Sequence, residues 1–115
     1  MRFDILLEEG QVDATMMRLR GTPPGGGWVI DLAAPGPVGS WSTRDVAFNG
    51  DWSEAQARAA GWMPDNEHPL LNPDAADSVS WAATIANVRA FSIRFSGEDT
   101  LTAGIDNFSL NNVSF

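Results

Sequence analysis

With 115 residues, 43% of them hydrophobic, the chain is long enough for one folded core and too short for two, so it reads as a single domain over 1–115. Fifteen acidic residues stand against seven basic ones, all arginine, for a net charge of −8, a balance that disfavours nucleic acid and anionic membranes, which are bound through clustered Lys and Arg. The absence of Cys and Lys excludes a thiolate nucleophile, a disulfide framework, a cysteine zinc site, a Walker-type phosphate loop and a Schiff base, and no apolar run of about 18 residues exists to span a bilayer.

Residues 3–9 and 12–20 read as two strands joined by a tight turn at Glu9-Gly10-Gln11. Thr22-Pro23-Pro24-Gly25-Gly26-Gly27 is a loop, and with no Lys and no following helix it has no phosphate-cradling chemistry. Trp28 to Leu32 forms a third strand, broken by Pro35-Gly36-Pro37. Trp41 to Phe48 forms a fourth, with Val46 and Phe48 on one face. Ser53-Glu54-Ala55-Gln56 fits a capping box, and Gly61 stands where a helix C-terminal cap belongs. A second short helix falls within 78–87, where Trp81, Ile85 and Val88 share one face. Residues 62–77 between the helices hold three prolines and no periodicity, so they read as a long loop, a feature usually functional or mobile. Strands at 88–96 and 103–114 close the chain, antiparallel to one another around Gly97-Glu98-Asp99-Thr100. The pattern predicts a mainly β, antiparallel β-sandwich with two short helices.

Two places carry chemistry. Along the last strand, period two puts Asp106 on the face of Phe108 and Leu110. An inward-facing carboxylate there must be hydrogen-bonded by backbone N–H groups, paired with an arginine or bound to a cation. The segment Trp62-Met63-Pro64-Asp65-Asn66-Glu67-His68 combines an aromatic plate, acids, an amide and the single histidine. As a sugar subsite, Trp62 would stack on a ring while Asp65, Glu67 and His68 bond its hydroxyls. The same residues also suit a lone metal or acid/base centre, or a solvated loop with Trp62 tucked into the core. One His without a second His or a Cys argues against a transition metal.

Of the five tryptophans, Trp81 is expected in the core by its spacing with Ile85, while Trp41 and Trp52 are expected to show a face. The sequons at Asn107 and Asn112 fall within the last strand and read as strand residues rather than glycan sites. Catalysis has little support: Glu54 with Glu67 or Asp65 is a chance pairing among fifteen acids, and His68 has no nucleophile-elbow sequence to serve.

Several short blocks recur together in order: Asp4-Ile5-Leu6-Leu7, Trp41-Ser42-Thr43, Gly61-Trp62, the run from Ser80 to Val88 followed by Phe91-Ser92-Ile93-Arg94, and Ala103-Gly104-Ile105-Asp106-Asn107-Phe108-Ser109-Leu110. They resemble the C-terminal two-thirds of laminin B (laminin domain IV) modules, which bacterial surface and exported proteins also carry. The chain reads as lacking that module's opening strands, with 63–77 as an insertion. Membership would imply a galactose-binding-like jelly roll and a non-catalytic extracellular recognition or adhesion role, with carbohydrate or a protein surface as partner. It would also imply a structural Ca²⁺ held by Asp106; since calcium takes six to eight oxygens, Asp4, Glu98, Asp99 and backbone carbonyls are the candidate co-ligands. The N-terminus becomes acidic too early for a signal peptide, so export would rest on a segment outside this chain. Two alternatives are a small acidic interaction module, forming a homo-oligomer through an open sheet edge, and, less favoured, a glycan-active enzyme.

Overall fold

The computed structural model describes residues 1–10, 12–21, 27–71, 80–86, 88–97, 102–110 and 113–114. In chain order the elements are strands β1 (Arg2–Glu9), β2 (Val12–Gly21), β3 (Gly27–Leu32) and β4 (Trp41–Asp45), helix α1 (Glu54–Ala59), strand β5 (Trp62–Pro64), a 3₁₀ turn (Asp65–Glu67), helix α2 (Trp81–Ala86), and strands β6 (Val88–Gly97), β7 (Thr102–Leu110) and β8 (Val113–Ser114). The chain is mainly β, with the elements of an antiparallel β-sandwich and two short helices. One four-stranded sheet has the order β4-β1-β7-β8 and the other β5-β3-β2-β6. Contacts divide the chain into two compact units that interleave in sequence: Met1–Thr15, Leu32–Ala47 and Phe95–Phe115 form one, and Met16–Asp31 with Phe48–Arg94 form the other.

The first unit is built on β1. Phe3, Ile5 and Leu7 are buried, while Asp4 and Leu6 between them are only partly covered, the alternation a strand buried on one face must show. Strand β4 pairs antiparallel with one side of β1, matching Leu6 with Trp41, Asp4 with Thr43 and Arg2 with Asp45. Strand β7 pairs with the other side, matching Leu6 with Gly104, Ile5 with Ile105 and Asp4 with Asp106. The register then slips: Asp4 opposes Asp106 but Arg2 opposes Ser109, so β7 carries an extra residue. Asn107 takes up the irregularity with φ of +54°, a left-handed conformation to which Asn is better suited than most residues.

This bulge corrects the reading of Asp106. Strict alternation no longer holds across Asn107, so Phe108 returns to the face of Phe3, with ring centroids 6.3 Å apart, whereas Asp106 is exposed on the opposite face. Asp106 is not an inward-facing acid.

The second unit holds an aromatic core. Trp81 opens α2 and meets Trp28 edge-on at 5.3 Å, Trp62 at 5.5 Å and Phe48 at 5.8 Å. Phe48 also meets Phe91 edge-on at 6.3 Å. The Arg58 guanidinium on α1 lies 5.5 Å from the centre of a Trp28 ring. Helix α1 starts where expected: Ser53 Oγ accepts from the Gln56 backbone N–H, Gln56 Oε1 accepts from the Ser53 N–H, and Gly61 follows the helix at φ +107°. Strand β3 runs close to β2 at Gly27, where a Cβ would collide with the Leu19 carbonyl oxygen.

Four expected features differ. The strands flanking Gly10 belong to different sheets, and so do β6 and β7. The fourth strand stops at Asp45, leaving Val46 and Phe48 outside regular structure. Residues 62–67 are a short strand and a 3₁₀ turn rather than loop. Pro64, which has no N–H to donate, is accommodated because β5 is an edge strand. Residues 22–26 of the glycine loop and 72–79 of the proline-rich stretch lie outside the described residues, as do Glu98, Asp99 and Asn112.

Candidate functional site

The 62–68 segment is committed to holding its own unit together. Trp62 is 1% exposed, and its indole packs on Trp81 and Phe48. A ring so enclosed has no face for a sugar, which corrects its placement as a stacking plate. Asp65, 4% exposed, accepts from Arg18 Nε at 2.9 Å and Nη2 at 2.5 Å. Burying that carboxylate needs this cation, because an unpaired charge at such a position costs several kcal/mol. Glu67 is exposed and pairs with Arg58 at 3.0 Å. His68, 4% exposed, accepts the Leu70 N–H on Nδ1 at 3.1 Å. That bond leaves the proton on Nε2, which donates to Asp31 Oδ1 at 2.8 Å. The proposed subsite residues are thus neighbours in sequence with separate structural partners.

The register of the first sheet does bring Asp4 and Asp106 together, as directly opposed residues of β1 and β7. Asp4 Oδ1 accepts from Thr43 Oγ1 at 2.6 Å and Oδ2 from Asn107 Nδ2 at 2.8 Å, while Asp106 Oδ1 accepts the Asn107 backbone N–H at 2.8 Å. The Asn107 bond, then the Thr43 bond, hold the Asp4 carboxyl below the usual carboxylate range, with a further contribution from Arg2. These are hard oxygen donors of the type calcium takes, but two carboxylates fall short of the six to eight ligands calcium requires. Among the described residues no third Asp, Glu or His joins them.

Next to this polar row lies the exposed surface that the sequence reading left out of its site. Trp41, at the start of edge strand β4, is 53% exposed. It shares a row with Leu6 and Gly104, and its Cη2 atom lies 3.6 Å from where a Gly104 Cβ would stand. The indole therefore reaches across the β1 row toward β7 instead of standing off the sheet. Residues two apart on a strand face are separated by about 7 Å, so the Thr43, Asp4 and Asp106 row begins one such step from the ring. Arg2 and Asp45 form the following row, 3.6 Å apart and both well exposed. The exposed face of the first sheet thus presents an aromatic plate beside a hydroxyl, an amide and two carboxylates.

The signal for this site lay in Trp41-Ser42-Thr43 and in the expectation that Trp41 shows a face. What sequence lacked was the pairing that sets Gly104 and Asp106 beside it. Among the described residues no helix is long and apolar enough to cross a membrane. The chain matches no family model, no curated protein and no solved structure.

Proposed function

We propose that this chain is a non-catalytic recognition module of extracellular or cell-surface proteins, and that it binds carbohydrate on the exposed face of its first sheet. The observation that carries the reading is Trp41, half exposed and extended over Gly104, with Thr43, Asp4 and Asn107 adjacent on the same face. An exposed indole gives a sugar ring an apolar surface, and flanking polar groups supply hydroxyl partners. The non-catalytic reading is supported by the engagement of the acids and the histidine weighed for catalysis. Asp65 is tied to Arg18, Glu67 to Arg58 and His68 to Asp31, and Glu54 accepts from the Trp81 N–H at 3.4 Å. The resemblance to laminin B modules of jelly-roll type agrees with a mainly β chain.

The test is affinity electrophoresis on a panel of soluble polysaccharides with wild type and Trp41→Ala. Retardation of the wild type on at least one polysaccharide, lost in a variant with an unchanged circular dichroism spectrum, is the expected result. Equal retardation of both proteins moves the site away from this face.

A structural Ca²⁺ at Asp4 and Asp106 is a second reading, favoured by one observation: like charges directly opposed on adjacent strands repel, and a divalent cation would relieve that repulsion. A melting temperature that rises in millimolar calcium and falls with chelator supports it, because a ligand held only by the folded state shifts unfolding. Indifference to both rejects it.

A further inference from the structure

We propose that the Trp41 face selects a cationic glycan, a polymer of amine-bearing sugar rings, over neutral or anionic ones. This rests on the reading of that face as carbohydrate-binding and specifies the ligand class. The argument is charge complementarity at an aromatic plate. Of the charged side chains on this face, Arg2 is matched by Asp45 at 3.6 Å. Among the described residues no ion pair joins a cation to Asp4 or Asp106. Asp4 is held ionised by hydrogen bonds from neutral donors, Thr43 Oγ1 and Asn107 Nδ2. Asp106 is exposed, and one of its oxygens is occupied by the Asn107 N–H.

The face therefore carries an excess of negative charge one residue pair from the indole. A chain net charge of −8 extends the same sign beyond it. An anionic sugar is repelled there, and a neutral one leaves both carboxylates without a charged partner. An ammonium group on the ring stacked at Trp41, or on its neighbour, reaches the carboxylate row and adds a cation–π contribution at the indole. The Thr43 hydroxyl and the Asn107 amide, which flank Asp4 on either side, favour a hydroxylated ring over a basic peptide, whose backbone would seek a sheet edge.

The experiment measures binding of the full chain by calorimetry to a glucosamine hexamer, its N-acetylated counterpart, a glucose hexamer and an oligolysine of equal charge. Expected is affinity for the glucosamine hexamer about tenfold above either neutral hexamer, with the advantage shrinking as salt rises. Asp106→Asn should erase most of that advantage while retaining neutral-glycan binding. Trp41→Ala should remove binding of all three glycans, and Trp41→Phe should restore part of it. Equal affinity for the three hexamers overturns the amine preference and leaves the carbohydrate reading standing. Tighter binding of oligolysine than of glucosamine hexamer overturns the glycan as occupant in favour of a basic peptide. Absence of binding to every probe overturns both readings.

Discussion

At the scale of single residues, Trp62 and Asp4 show how burial and partners override composition. Trp62 sits in a stretch rich in prolines and charge, yet its indole is enclosed by Trp81 and Phe48. Trp62→Ala should therefore lower stability by about 3–5 kcal/mol in denaturant unfolding, the range for emptying a buried large aromatic site. A loss within surface-mutation size would mean that the ring is not part of the core. Asp4 makes a different prediction. Its folded pKa lies below the ordinary 3.8, chiefly through Asn107 and then Thr43. The stability it contributes is thus complete above 3.8 and lost as pH falls through the lower folded value. Asp4→Asn should flatten that part of the melting-temperature profile below 3.8 and leave the remaining acid limb in place. Superimposable acid limbs would show that Asp4 is not anchored.

At the scale of elements, what was legible depended on whether the signal is local. The capping box at Ser53 and Gln56 and the glycine after α1 are interactions within a few residues, so the sequence specifies them almost alone. The three-residue β5 is too short to show a period, and it exists because β3 offers partners for Trp62, Met63 and Pro64. The bulge at Asn107 was invisible for another reason: period two assigns faces only while the ladder is uninterrupted, and one inserted residue exchanges them. Two substitutions separate the roles of Asn107. Asn107→Gly keeps the left-handed backbone and loses only the bond to Asp4. Asn107→Ala loses that bond and also places a Cβ in an unfavourable conformation, a penalty of about 1–2 kcal/mol. Thermal melts should rank wild type above Gly and Gly above Ala. An Ala variant as stable as the Gly variant would remove the backbone account of the bulge.

At the scale of the whole molecule, β content, two helices and antiparallel pairing follow from pattern and composition. Which strand lies beside which does not. Strand β1 pairs with a strand about a hundred positions away, while its neighbour in sequence joins the other sheet. Such long-range pairing is set by total burial and loop closure, not by any local motif. Charge, by contrast, is read directly from the chain and has consequences whatever the topology. Seven arginines against fifteen acids leave a field of one sign, and the described structure uses several of those arginines internally: Arg18 on Asp65, Arg58 on Glu67 and Arg44 on the carbonyl oxygens of Ala33 and Ala34. Phosphate binding draws on free Lys and Arg, each contact releasing condensed counterions and steepening the salt dependence. A chain with no Lys and with several of its arginines engaged on its own loops and carboxylates has little of that resource to offer. Filter-binding and gel-shift assays at physiological salt should therefore show no retention of duplex or single-stranded nucleic acid. Retention that weakens steeply between about 50 and 200 mM salt would reveal a phosphate-binding surface and overturn the prediction.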